Sequence, residues 1–169
     1  LNDNFETNNL EEIDIDALPE LEQYVLHRLY CLNNNFKKYF RNYDFHNLYK
    51  ELLNFCTVDL SAFYFDIRKD TLYCDPKNST KRRSTIILLN IILNCLLKWF
   101  APILSFTTEE IFKLVNKEKD ISIHLEKFVS IPNNWKNQNL ADKWNEILNV
   151  REIANSSIEL KLSLIHISE

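Results

Sequence analysis

The sequence predicts an all-α fold, a bundle of four to five helices. Apolar residues recur every three or four positions through residues 21–43, which is the spacing of one helix face. Residues 86–100 are apolar except for Asn90, Asn94 and Lys98, and a helix that is apolar on nearly every side has to be surrounded by others. With 169 residues and 46% hydrophobic content the chain can bury one core. We therefore expect one helical domain over residues 18–161.

The first helix is predicted to begin at Pro19, because proline is tolerated in a first helical turn and the acidic Glu20 and Glu22 favour a helix N-terminus. Residues 1–17 are polar and acidic, and we interpret them as a connector. The apolar stripe of the helix predicts core positions for Leu21, Val25, Leu29, Leu32, Phe36, Tyr39 and Tyr43.

A second helix is predicted to begin with Asp44 as its N-cap, since an aspartate side chain accepts from the exposed N–H groups of a first turn. Residues 69–79 contain Asp70, Asp75, Pro76 and Asn78 and predict a loop. The predicted buried face between them consists of Phe45, Tyr49, Leu52, Cys56, Leu60, Phe63 and Ile67.

The third helix is the predicted centre of the bundle and ends near Ala101, because Pro102 cannot continue it. Thr107 and Glu110 have the spacing of a capping box, which predicts that a further helix begins there. Residues 121–125 alternate between apolar and polar and predict an extended segment. A loop around Pro132 then precedes a last helix over residues 140–158.

The composition excludes several classes of site. The sequence has no Gly, so the phosphate-binding P-loop, the dinucleotide fingerprint and the nucleophile elbow are all excluded. Its four Cys and four His lack the spacing of metal ligands, and we expect no metal site and buried free thiols in a reducing cytoplasm. Glu109 and Glu110 are adjacent and point in different directions on a helix, which favours capping over acid–base chemistry. The residues alone predict no catalytic site and no membrane span.

The charge is distributed unevenly along the chain. Residues 1–22 hold eight acidic side chains and no Lys or Arg, whereas the remainder holds 16 acidic and 20 basic side chains, a net charge of +4. The body is therefore mildly basic although the whole chain carries −4. Binding to nucleic acid requires a local basic face and not a high overall pI, so an RNA partner is compatible with this charge.

Basic residues concentrate at three predicted helix ends, where they could neutralise phosphates beside aromatic side chains that stack on bases. Cations at the start of the third helix oppose its macrodipole, and such a broken local rule suggests function. The aromatic residues of the first helix fall on its apolar stripe, which favours core positions for them. The candidate RNA contacts are Lys37, Lys38, Arg41, Arg68, Lys69, Lys81, Arg82 and Arg83.

Several segments resemble the isoleucyl-tRNA synthetase family: residues 44–46, residues 54–64 with the wording NFCTVDLSAFY, and residues 66–75. Residues 99–102 and 106–112 are similar to a pattern shared by the wider class I group. The likeness covers residues 18–159. Residues 162–169 depart from it and resemble translated vector sequence, so we predict a non-native tail there.

The resemblance implies a parent enzyme that adenylates isoleucine with ATP and Mg and transfers it to tRNA(Ile) in the cytoplasm. It implies that this bundle grips the anticodon arm and adjoins its own catalytic domain. No ATP-site signature lies in the sequence, so we expect no catalysis, no cofactor and no metal in this part alone. Two alternatives stay open: a helical protein-interaction domain without an RNA role, and the equivalent module of a valyl or leucyl enzyme.

Overall fold

The computed structural model describes residue 10, residues 13–117 and residues 121–166, with side chains up to residue 161. The chain divides into two compact units, residues 1–136 and 137–169. The described residues form helices and no β-strand, as the sequence predicts. The α-helices are α1 (Glu20–Asn42), α2 (Phe45–Asn54), α3 (Asp66–Cys74), α4 (Thr80–Phe100), α5 (Ser105–Val115) and α6 (Gln138–His166). Most of the predicted connector, residues 1–17, lies outside the described residues.

Helix α1 begins after Pro19 as predicted, and its stripe from Leu21 to Phe36 is buried. Tyr39 is only half-buried, and Tyr43 lies beyond the last residue of the helix with 80% of its side chain exposed. The predicted core position of Tyr43 is therefore wrong. The backbone of Tyr43 has turned out of the helix, so its side chain no longer follows the helical period.

The second predicted helix is a continuous helical rod over residues 45–74, in which a π-helix (Phe55–Phe65) joins α2 to α3. Asp44 caps it as predicted, accepting from the backbone N–H of Asn47 at 3.2 Å. The rod extends to Cys74, so the predicted loop over residues 69–79 is wrong for its first half. No proline interrupts the helix before Pro76, and Asp75, which precedes that proline, is the first extended residue.

The buried face of this rod also differs from the prediction. Of the predicted face, Leu52, Leu60 and Phe63 are buried and Cys56 is half-buried, whereas Phe45, Tyr49 and Ile67 are exposed. The positions that the prediction left out are Leu48, Phe55 and Tyr64, which are buried as well. A π-helix bonds each residue to the fifth one along and turns less per residue than an α-helix, so a face read with the α period falls out of phase. This is the physical reason that Ile67, which follows the π-helix, is exposed. Phe45 and Tyr49 precede the π-helix, and there Leu48 and Leu52 form the buried face of α2 instead.

Helix α4 is the core helix, as predicted, and packs against α1, α3 and α5. The fully buried Trp99 meets Phe36 edge to face with ring centroids 4.9 Å apart, and its indole N–H donates to Asn33 at 3.2 Å. Among the described helices α4 has the length and apolar content of a membrane span, a property that core helices share. It ends at Phe100, before Pro102, as predicted.

Helix α5 begins at Ser105 without a side-chain cap, so the capping box predicted for Thr107 and Glu110 is wrong. The neighbouring Glu109 instead accepts from the hydroxyl of Ser122 at 2.8 Å and the N–H of Ile123 at 3.0 Å. Hydrogen bonds from Ser122 and Lys113 lower the pKa of Glu109. This carboxylate organises the next segment as a 3-10 turn (Ile123–Leu125), where we had predicted an extended strand.

The second unit consists mainly of α6 (Gln138–His166), which begins two residues earlier than predicted. The side chain of Asn137 accepts from the N–H of Leu140 at 3.1 Å and caps the first turn. The helical backbone extends through His166, into the segment that we predicted as a non-native tail. That assignment remains a prediction, and residues 167–169 lie outside the described residues.

Candidate nucleic-acid interface

A buried polar network occupies the first turn of α1 and includes one predicted RNA contact. Glu22 is fully buried and accepts from Nε and Nη2 of Arg68, both at 2.6 Å. The hydroxyl of Tyr64 donates to the same carboxylate at 3.2 Å, and that of Thr85 lies 3.4 Å away. Burial raises the pKa of Tyr64, so its hydroxyl keeps the proton that it donates. We call these four residues the Glu22 network.

Arg68 is therefore an internal ion-pair partner, 5% exposed, and its guanidinium faces Glu22 instead of solvent. The prediction that it contacts phosphate is corrected accordingly. Arg68 was expected at the end of a helix because a loop was predicted over residues 69–79. The adjacent Lys69 is exposed and pairs with Asp66 at 2.9 Å, a bond that raises the pKa of its amine.

A first basic region lies at the beginning of α4. Lys81 and Arg83 are exposed there, while Arg82 is half-buried and donates from Nη1 to the carbonyl of Asp75 at 2.8 Å. Arg82 thus holds the start of α4 against the end of α3, and the exposed pair is better placed for an external anion. Because Glu22 meets both Arg68 and Thr85, α3 and this end of α4 lie beside the N-terminal end of α1. We call Lys69, Lys81, Arg82 and Arg83 the proximal basic region.

A second basic region lies at the C-terminal end of α1, where Lys38 and Arg41 are exposed and Lys37 is half-buried. Helices α1 and α4 are parallel, since Glu22 lies near Thr85 and Asn33 bonds to Trp99. The helical rise places Lys38 about 24 Å from Glu22 along α1. The structure therefore separates the predicted contacts into two regions at opposite ends of α1 and does not bring them together. We call Lys37, Lys38 and Arg41 the distal basic region.

Tyr43 follows α1 and has a left-handed backbone, with φ of 56°. Its N–H donates to the carbonyl of Phe40 at 3.3 Å, and the N–H of Asp44 donates to that of Tyr39 at 2.9 Å. This is the Schellman arrangement, in which glycine is the usual residue because a Cβ is disfavoured at positive φ. A tyrosine held there is backbone strain, and strain of this kind concentrates at functional sites.

Four aromatic rings lie together around this turn, which we call the distal aromatic cluster. Tyr43 and Phe45 have ring centroids 6.4 Å apart, Phe45 and Phe40 6.0 Å, and Phe40 and Phe128 5.3 Å. Tyr43, Phe45 and Phe128 are all more than one third exposed. Sequence reasoning considered base stacking at the end of the first helix but favoured core positions for its aromatic residues. It missed Phe45, which was assigned to the core, and Phe128, which is remote in the chain.

A cleft of about 490 Å³ lies between α1 and α2, close to the same turn. It is lined mostly by polar side chains: Tyr39, Asn47, Lys50, Glu51, Leu53, Asn54 and Thr57. Partial burial and the Glu51 carboxylate raise the pKa of Tyr39. The arrangement offers hydrogen-bond donors and acceptors but no paired nucleophile and base.

The histidines and cysteines do not supply a metal centre in the part of the chain that the structure describes, where no group of three metal-ligating side chains comes together. The four cysteines are free, and their burial differs from the prediction: Cys95 is buried, Cys31 and Cys56 are half-buried, and Cys74 is exposed. Burial raises the pKa of the Cys95 thiol to about 12. The chemistry that remains at the surface is cationic and aromatic.

Comparison with known proteins identifies a family. The model described as the anticodon-binding domain of tRNA ligase matches residues 22–166. The isoleucine–tRNA ligase of Pelagibacter ubique is 66% identical over 161 residues, 95% of this chain and 18% of the relative. Those of Agrobacterium fabrum and Mesorhizobium japonicum are 44% and 40% identical, over 90% and 89% of this chain and 16% and 15% of the relatives. The chain thus spans less than a fifth of the length of these relatives.

Proposed function

The chain belongs to the family of anticodon-binding domains of tRNA ligases, and from this membership we propose that it holds the anticodon arm of tRNA(Ile) for an isoleucine–tRNA ligase. The observation that carries the proposal is the 66% identity with an isoleucine–tRNA ligase over 95% of the chain. The relatives quoted above share that name, which favours this module over its valyl or leucyl equivalents. Adenylation of isoleucine with ATP and Mg, in the cytoplasm, is proposed for the whole ligase.

The geometry supports an RNA partner through charge. Exposed cations lie at both ends of α1, with Lys81 and Arg83 at one end and Lys38 and Arg41 at the other. Glu22 and Lys38 mark the two ends of α1, about 24 Å apart along the helix, so cations at these two ends can contact phosphates of one RNA arm at separate points. Such contacts fix the position and direction of an RNA and carry no sequence information. We propose that the bases of the loop are contacted instead by the polar and aromatic groups near Tyr43.

The test uses the 169-residue chain and a synthetic hairpin with the sequence of the tRNA(Ile) anticodon arm. Its affinity is measured by fluorescence anisotropy from low to physiological salt. We expect log Kd to rise linearly with log salt, because released counterions drive phosphate binding. A matched hairpin with the same stem and a valine anticodon should bind more weakly. Affinity that ignores salt, or no affinity at all, would support the alternative of a protein-interaction domain.

A further inference from the structure

We propose that the distal aromatic cluster is a stacking site for one unpaired base of the bound RNA loop, with Tyr43 as the ring that the base covers. This inference rests on the proposed function and specifies the part of the surface that meets single-stranded RNA. It also separates two roles, since the proximal basic region would hold only phosphates. Every base has a π-face that can stack on a ring, but the paired bases of a stem are already stacked on one another. A stacking site therefore binds unpaired bases of the loop.

The first support is the exposure and arrangement of the rings. Tyr43 is 80% exposed, and its ring touches Phe45 at an interplanar angle of 64°. Phe45 and Phe128 both contact Phe40, which is half-buried and anchors the cluster to α1. The outer ring thus contacts one neighbouring ring, Phe45, and leaves most of its surface open to solvent. An exposed aromatic face of this kind is a surface on which unpaired bases stack.

The second support is the backbone of Tyr43. A left-handed residue after a helix is normally glycine, and tyrosine there is less stable because of its Cβ. Two hydrogen bonds, from the N–H groups of Tyr43 and Asp44, hold the turn in place. The turn needs no side chain, so its stability does not explain the aromatic ring. A ring that projects into solvent from a strained position is explained by a ligand.

The third support is charge around the rings. Lys38 and Arg41 are exposed on the last turns of α1, and Lys127 is exposed next to Phe128. Of the nearby carboxylates, Glu126 is paired with Lys98 at 3.1 Å, whereas Asp44 keeps its charge and accepts from the neutral side chain of Asn47 at 2.6 Å. The exposed cations Lys38, Arg41 and Lys127 outnumber the Asp44 carboxylate, so the phosphates on either side of a stacked base would meet a net positive surface. This combination of a ring and flanking cations is typical of proteins that bind single-stranded nucleic acid.

The structure offers a variant that separates binding from folding. Tyr43→Gly removes the ring and relieves the strained backbone, so the fold should be retained or become more stable. Tyr43→Phe keeps the ring and should bind like the original chain. Tyr73→Ala is the matched control, because Tyr73 is 86% exposed but lies on α3 near the proximal basic region. Far-UV circular dichroism and thermal unfolding confirm the fold of each variant.

Each variant is titrated with the tRNA(Ile) anticodon-arm hairpin and with a blunt RNA duplex of the same stem. Tyr43→Gly should weaken hairpin binding about 5- to 150-fold, the loss expected for one base–aromatic stack, and leave duplex binding unchanged. A hairpin with 2-aminopurine in the loop should be quenched by the original chain and by Tyr43→Phe, and less by Tyr43→Gly. Tyr73→Ala should change neither binding nor quenching.

The outcomes are distinct. If the original chain binds the hairpin and Tyr43→Gly binds it equally well with equal quenching, the stacking site is wrong and the proposed function stands. If Tyr43→Gly weakens hairpin and duplex binding by the same factor, the ring contacts the backbone or the stem, and the inference is overturned. If the original chain does not bind the hairpin at all, the proposed function fails and the stacking site fails with it.

Discussion

Replacing Arg68 by Met tests whether this residue is an internal support or an RNA contact. The change removes two charge-assisted hydrogen bonds of 2.6 Å and leaves the fully buried Glu22 carboxylate with only the hydroxyls of Tyr64 and Thr85. Removing one partner of a buried ion pair destabilises a protein by about 3–5 kcal/mol, chiefly because a charge stays buried without compensation. For a chain of this size, that corresponds to a decrease in Tm of about 6–20 °C.

Urea denaturation followed by circular dichroism measures the free energy of unfolding of the Arg68→Met variant. Lys69→Met is the matched control, since the neighbouring lysine is 57% exposed and its pair with Asp66 is screened by solvent, so this change should cost far less stability than Arg68→Met. Adding Glu22→Gln to Arg68→Met removes the buried charge and should recover at least half of the loss. If Arg68→Met instead lost less than about 1 kcal/mol and flattened the salt dependence of RNA binding, the internal role would be refuted.

Four further outcomes are expected. Changing both Lys81 and Arg83 to Ala should weaken the binding of cognate and non-cognate anticodon hairpins by similar factors. The slope of log affinity against log salt concentration should become shallower by about 0.7 per lost contact. An unchanged slope would show that the two residues contact no phosphate. The 169-residue chain should show no isoleucine-dependent pyrophosphate exchange, and measurable exchange would contradict this prediction. Truncation after Lys161 should leave Tm unchanged, and a Tm lowered by several degrees would show that the removed residues belong to the fold. In the folded chain a thiol reagent at pH 8 should modify Cys74 well before Cys95, whose burial raises its pKa to about 12 and keeps it protonated; equal rates would contradict the structure.

The helices that sequence reasoning predicted best are those with an unbroken period. In α1 the spacing from Leu21 to Phe36 matches one face, and in α4 the apolar residues around Ile91 are typical of a core helix. The cap at Asp44 and the end before Pro102 depend on one local rule each, and both are confirmed. Local chemistry was sufficient wherever a single residue decides the conformation.

The sequence was insufficient where the conformation depends on distant contacts. A π-helix between Phe55 and Phe65 changes which face of the rod the residues after it occupy. No residue type in that stretch predicts a π-helix. Arg68 could not be assigned to the interior without knowing that Glu22, 46 positions away, lies opposite it. Phe128 joins the distal aromatic cluster for the same reason, since only the fold brings it to Phe40. The pattern of residues along the chain predicts the helices, whereas tertiary contacts decide which side chains remain at the surface.

The Glu22 network also has a consequence for the order in which contacts form during folding. Its hydrogen bonds join residues 42 to 63 positions apart, so they require α1, the rod of residues 45–74 and α4 to be in place already. Closing such long loops is entropically unfavourable, and contacts of this kind therefore form late in folding. Interactions absent from the transition state act on the unfolding rate and leave the folding rate almost unchanged. We therefore expect the buried ion pair to prolong the lifetime of the folded domain more than it accelerates its formation.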